Sequence, residues 1–194
     1  MAGRGYSVFD TTVGRCGIAW GHAGVIAVHL PEAREIETRR RMLRQYPDAR
    51  ELRPPPEIES AIDGIVALLR GQPADFGDVT LDMQGVPPFN RRVYAFTRGI
   101  PRGEIVTFGE VARRLGASGA SHAVGQAILR NPFTILVPCH RVLPAAGDAD
   151  GFCANGGVIS KRRLLSLEGA LAGKSPTLFD VLLSASVAPP RPAG

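Results

Sequence analysis

The feature that most restricts the fold is an apolar run from Phe133 to Val137, stopped by Pro138 and followed at once by Cys139, His140 and Arg141. So apolar a run belongs inside the protein and reads as a buried strand or extended core segment. Proline has no backbone N–H and ends a strand ladder. Three reactive side chains therefore follow the end of a rigid, buried element. A thiol is nucleophilic only as thiolate, and a neighbouring imidazole or guanidinium favours that form. Cys139 has the local chemistry of an activated nucleophile. The same residues would also suit a half-buried structural cysteine beside a surface His-Arg pair, since buried cysteines are usually inert.

The 194 residues allow one large domain or two small ones. An apolar content of 44% is ample for a packed core. No apolar run approaches a membrane span. Met1 to Tyr6 lacks a signal-peptide apolar region. Three cysteines, Cys16, Cys139 and Cys153, make an odd set without a disulfide framework. A reducing cytoplasm is the expected location. Charge is uneven: residues 1–87 carry ten arginines against twelve acids, a balance of −2, whereas residues 88–169 carry eleven Lys and Arg against five acids, a balance of +6. A basic segment around the thiol suits a polyanionic partner such as nucleic acid, and equally suits solvated helix faces in an arginine-rich chain.

In order, Ser7–Asp10 reads as a strand. Cys16–Trp20 and Val25–Leu30 flank Gly21–Gly24 as a hairpin. Pairing Trp20 with Val25 would set Cys16 opposite His29, half of a metal site at most and here structural. A charged helix over Glu32–Tyr46 packs by a stripe of Ile36, Met42 and Leu43, with Arg39-Arg40-Arg41 in solvent. A second helix, Glu57–Leu69, buries Ile58, Ile62, Ile65, Val66 and Leu69, and Val79–Met83 alternates as a strand. Gly85–Pro88 marks a boundary. Phe89–Thr97 is helical. Thr107 and Glu110 have capping-box spacing for a helix over Phe108–Leu115, ended by Gly116, and a further helix spans Ser121–Arg130. Two short helices about a glycine-containing turn read as helix-turn-helix, whose second helix enters DNA. Small residues on it, Ala123, Gly125 and Ala127, permit close approach either to DNA or to a packed neighbour. Leu143–Gly157 is an irregular, glycine-rich loop. Val158–Leu167 is a basic amphipathic helix, Leu178–Leu183 a short one, and the Pro/Ala-rich end is expected to be disordered.

Five ordered blocks across residues 89–169 resemble the O6-alkylguanine-DNA alkyltransferases, the methylated-DNA–protein-cysteine methyltransferases. They are Ile100-Pro101-Arg102-Gly103-Glu104 with Gly109-Glu110-Val111-Ala112, Ala123-Val124-Gly125, Asn131-Pro132, Pro138-Cys139-His140-Arg141-Val142, and Leu164-Leu165 with Glu168-Gly169. The resemblance implies an α/β N-terminal domain, ribonuclease-H-like, over residues 1–87. It implies a mainly α, winged-helix-like helix-turn-helix domain over 88–170, followed by a partly disordered tail, 171–194. It also implies a monomer that needs no metal or cofactor. Its partner would be double-stranded DNA containing O6-alkylguanine, held through the minor groove, with the damaged base flipped out so that its alkyl carbon can reach a thiol. The protein would be consumed by one alkyl transfer.

Carried over residue by residue, Cys139 is the acceptor. His140 takes its proton through a water, Glu168 orients His140, and Asn131 pins the turn before the thiol. Phe108, Ser121, His122, Ala123, Gly125, Arg130 and Arg141 would contact DNA. Val142, Phe152, Cys153, Ala154 and Asn155 would line the guanine pocket. Three positions depart from the family pattern. His122 stands where an arginine finger is usual, and Phe108 where a tyrosine is usual. The pocket loop Gly151–Gly157 loses a tyrosine and gains about two residues. Two other functions stay open: a binding protein that senses alkylated bases, and a thiol acceptor with a small-molecule donor.

Overall fold

The computed structural model describes residues 4–144 and 161–170. The chain opens with an antiparallel meander, β1 (Gly5–Thr11), β2 (Gly14–Gly21) and β3 (Gly24–His29). Helix α1 (Glu35–Gln45) follows. A two-residue strand, β4 (Arg50–Glu51), then pairs parallel to β1, giving the order β3-β2-β1-β4. Helix α2 (Pro56–Leu69) completes this part.

Side chains alternate across β2 with the period of two that a strand imposes. Cys16, Ile18 and Trp20 face α2 and the main core, whereas Ala19 joins Tyr6 and Met42 beneath α1. The hairpin pairs Trp20 with Val25 as expected. One residue further on, the register shifts at Ala19/Trp20, so Gly17 rather than Cys16 sits opposite His29. A bulge of one residue moves a side chain to the other face. Cys16 and His29 therefore point to opposite sides of the sheet, and the pair does not form.

Helix α1 is shorter than expected and packs by a different stripe. Thr38 and Met42 are buried, while Ile36 and Leu43 are 48% and 44% exposed. The sheet offers one narrow contact, Met42 over Gly17, where a Cβ would meet the sulfur at 3.0 Å. The basic cluster is partly spent on acids: Arg41 pairs with Glu32 at 2.5 Å, and Arg39 with Glu35 and Glu51. Val79–Met83 is not a strand. Only Leu81 bridges β3, after which the Asp82 carboxylate accepts from the Gln84 N–H and turns the chain away.

Pro88 occupies the first turn of α3 (Pro88–Arg98), where a missing N–H costs nothing. Strand β5 (Val106–Thr107) leads straight into α4 (Phe108–Arg114). Thr107 and Glu110 make the capping box in both directions, at 3.2 and 2.9 Å. Gly116, at φ +69°, ends α4 in a backbone conformation that glycine adopts freely. Helix α5 (Ser121–Leu129) packs on α4 and is tied to α3 by the Tyr94 hydroxyl, which donates to the Ala127 carbonyl at 2.9 Å.

Phe133–Val137 is buried but is not a strand. The Val137 N–H returns to the Phe133 carbonyl at 2.8 Å, and Ile135 takes φ +75°. Phe133 bridges Val28 of β3, anchoring this turn to the sheet edge. A 3-10 turn (Cys139–Arg141) and β6 (Val142–Leu143) follow, and β6 lies parallel to β5. Helix α6 (Lys161–Leu167) closes the described chain. One continuous core cluster runs from Cys16 to Leu164. Among the described residues no helix is long and apolar enough to cross a membrane.

Candidate active site

The site grows from the turn that Phe133–Val137 makes. Asn131 is 2% exposed and staples this turn at both ends. Its Oδ1 accepts the Phe133 N–H and its Nδ2 donates to the Val137 carbonyl, each at 3.0 Å. That carbonyl also accepts the Cys139 N–H at 2.7 Å. The backbone of Cys139 is thus fixed by a side chain eight positions earlier. Cys139 is 1% exposed and His140 fully buried.

A second element supplies the acid. Glu168, just beyond α6, places its carboxylate between two consecutive residues of the 3-10 turn. His140 Nε2 lies 2.9 Å from Oε1. Arg141 donates Nη2 to Oε1 at 2.7 Å and Nε to Oε2 at 2.9 Å. Burial on its own raises the Glu168 pKa, but the hydrogen bonds and charges of His140 and Arg141 outweigh it and hold the group at about 2. An ionised carboxylate only accepts, so Nε2 is the nitrogen that donates to it, which leaves Nδ1 as the acceptor of the neutral ring. That Nδ1 is buried with no hydrogen-bond partner among the described residues. The arrangement offers a base nitrogen next in sequence to a thiol, its tautomer chosen by a carboxylate.

Two of the residues carried over as DNA contacts have partners inside the protein. Arg141 is 8% exposed, and besides Glu168 it donates Nη1 to the Ile100 carbonyl at 2.5 Å. A buried carboxylate needs a partner with several donors, and the guanidinium is committed to that task. Gly125 is buried, and a Cβ there would stand 3.0 Å from the Phe108 ring, so its smallness permits the close packing of α5 on α4. Ser121, His122 and Ala123 are exposed together at the start of α5, and Arg130 is exposed at its end. Phe108 is half-buried. Val142 is fully buried in β6. Phe152, Cys153, Ala154 and Asn155 lie outside the described residues, as do the rest of the Gly151–Gly157 loop and the Leu178–Leu183 helix.

Lys161, at the start of α6, packs beside Val142 and Phe108. It is 3% exposed, donates Nζ to the Val142 carbonyl at 3.2 Å, and stands 5.9 Å above the Phe108 ring. One of only two lysines in the chain, it lies seven residues before Glu168, two helical turns on the same face. Among the described residues no three His, Cys, Asp or Glu side chains converge on a metal position.

Residues 88–170 match the family model described as 6-O-methylguanine DNA methyltransferase, DNA binding domain. A methylated-DNA–protein-cysteine methyltransferase of Mycobacterium tuberculosis is 38% identical over 178 residues, covering 90% of this chain and 98% of that protein. A DNA base-flipping protein of Thermus thermophilus is 40% identical over 121 residues, covering 60% of this chain and 80% of its own. The crystal structure of the M. tuberculosis OGT in complex with DNA superposes with a TM-score of 0.67 at 34% identity, covering 91% of this chain and 99% of that one.

Proposed function

This chain belongs to the methylated-DNA–protein-cysteine methyltransferases, and from that premise we propose that it repairs DNA by moving the alkyl group of O6-alkylguanine onto Cys139. The observation that carries the assignment is the buried Cys139-His140 pair held against an ionised Glu168. His140 Nδ1 takes the thiol proton through a bridging water. The thiolate then attacks the alkyl carbon, a carbon–sulfur bond forms as the carbon–O6 bond breaks, and the electron pair leaves with guanine, which takes up a proton. A thioether is stable, so each molecule acts once. The chemistry needs no metal or cofactor.

Cys139 is 1% exposed and cannot reach a base stacked inside a duplex, so the damaged nucleotide is flipped out to it. In this reading α4 and α5 are the helix-turn-helix. The exposed Ser121, His122 and Ala123 enter the minor groove, and the +6 segment neutralises phosphates. The N-terminal α/β part, residues 1–87, is read as ribonuclease-H-like and residues 88–170 as the winged-helix-like catalytic part, the whole acting as a monomer.

The test is the intact mass after incubation with a duplex containing O6-methylguanine. The expected result is one added methylene, mapped to the peptide containing Cys139. Tight binding without any gain would replace repair by recognition of the alkylated base alone. A gain only from a free base or another small donor would replace the DNA substrate.

A further inference from the structure

The turn Ile100–Gly103 touches both members of the Arg141–Glu168 pair. Its Ile100 carbonyl accepts from Arg141 Nη1 at 2.5 Å. Its Arg102 donates Nη2 to the Gly71 carbonyl at 2.5 Å and to the Leu167 carbonyl at 2.8 Å. Gly103, at φ +84°, lies along the Glu168 backbone, where a Cβ would stand 3.7 Å from the carbonyl oxygen. Leu167 immediately precedes Glu168, and Gly71 lies one residue beyond Arg70, the cap of α2. The two helix ends are in contact, since a Cβ on Gly71 would stand 3.6 Å from the Leu167 oxygen. The last carbonyls of a helix lack partners within the helix and carry partial negative charge. The Arg102 guanidinium answers the last carbonyl of α6 and, with the same nitrogen, the Gly71 carbonyl in the turn that follows α2.

Resting on the assignment of Glu168 as the group that orients His140, we propose that Arg102 is a positioning residue for the thiol chemistry. It sets Glu168 by holding the Leu167 carbonyl against the end of α2. The N-terminal segment thereby becomes part of the activation of Cys139. A carboxylate on an unpinned helix end would sample distances at which the 2.9 Å bond to His140 is no longer made. The tie extends further back, because the Thr12 hydroxyl donates to the Leu69 carbonyl at 2.7 Å and fixes the β1–β2 turn to the last turn of α2. A plain glue between two helix ends would stabilise the fold without touching thiol reactivity, and this contrast makes the proposal testable.

The experiment measures the reaction of Cys139 with iodoacetamide against pH, read by mass on the Cys139 peptide. It compares wild type, Arg102→Met, Arg102→Lys and Glu168→Gln with the combination of Arg102→Met and Glu168→Gln. Single-turnover methyl transfer from an O6-methylguanine duplex is measured alongside. Arg102→Met is expected to slow Cys139 about tenfold at neutral pH, the scale of one lost charged hydrogen bond, and to move the pH midpoint upward. Arg102→Lys should recover part of the loss. In the Glu168→Gln background, Arg102→Met should change almost nothing further, because its route of action is already cut. An unchanged pH profile, or an effect that adds in full to that of Glu168→Gln, would overturn the proposal. Should Arg102→Met fail to fold, Arg102→Lys in the two backgrounds gives the same comparison. A wild type that takes no methyl group from the duplex would sink the assigned repair reaction, whereas the iodoacetamide comparison would still decide Arg102.

Discussion

Replacing Glu168 by glutamine keeps the shape of the side chain and removes its charge. The carboxylate accepts three hydrogen bonds, one from His140 and two from Arg141, with a side chain only 1% exposed. An amide has one oxygen and turns an N–H₂ toward a donor, so at least one buried donor loses its partner. The size of the loss follows from the pKa. A fall from the ordinary 4.5 to about 2 corresponds to about 3 kcal/mol of folding stability, near the range for breaking a buried ion pair. The sign follows from a depressed carboxylate. The contribution is fully present above the unfolded pKa of 4.5 and is lost as pH falls through the folded value of about 2. Urea denaturation of the two proteins should therefore differ by about 3 kcal/mol at neutral pH. The difference should shrink once the pH drops below the ordinary glutamate pKa. In parallel, Cys139 alkylation should slow about tenfold and its pH midpoint should rise, because an amide does not steady imidazolium beside a thiolate. Equal stability at neutral pH together with an unchanged thiol profile would reduce Glu168 to an ordinary helix-end residue.

Cys139→Ala should abolish methyl uptake while leaving duplex affinity nearly intact, checked by mass and by a gel-shift titration; uptake near the wild-type level would move the acceptor to another thiol. His122 is exposed at the start of α5, where it can stack as a flat ring but has fewer donors than arginine. His122→Arg should speed single-turnover repair of duplex DNA and barely change the reaction with free O6-benzylguanine. His122→Ala should slow the duplex reaction further, and equal duplex rates for all three would make the position a bystander. His29 is 2% exposed, and burial, reinforced by Arg41, pushes its pKa down to about 4 against a weak opposing contribution from Gln45. A histidine buried neutral stabilises fully above its ordinary 6.5, and that contribution is lost as pH falls toward 4. His29→Phe should flatten the melting temperature over that interval, and a slope equal to wild type would refute the assignment.

What the chain determines locally could be read from it directly. The capping box of Thr107 and Glu110, the proline opening α3, the glycine ending α4, the hairpin about Gly21–Gly24 and the apolar stripe of α2 each depend on neighbours within four residues. The string from Pro138 to Val142 was legible for the same reason, since the thiol, its base and the chain-stopping proline are consecutive. Long-range packing decided the rest. A single bulged residue set which face of the sheet Cys16 and His29 occupy, because register is a property of two strands and not of one. Ile36 and Leu43 read as core but stand in solvent, because the sheet beneath α1 accepts only Met42 and Thr38. Phe133–Val137 has strand composition, yet the two hydrogen bonds of Asn131 close it into a turn with Ile135 at φ +75°. Arg141 has the charge of a phosphate ligand, and the fold pairs it with Glu168, 27 residues away. A charged side chain goes where its desolvation is compensated, and only the assembled fold brings that carboxylate to it.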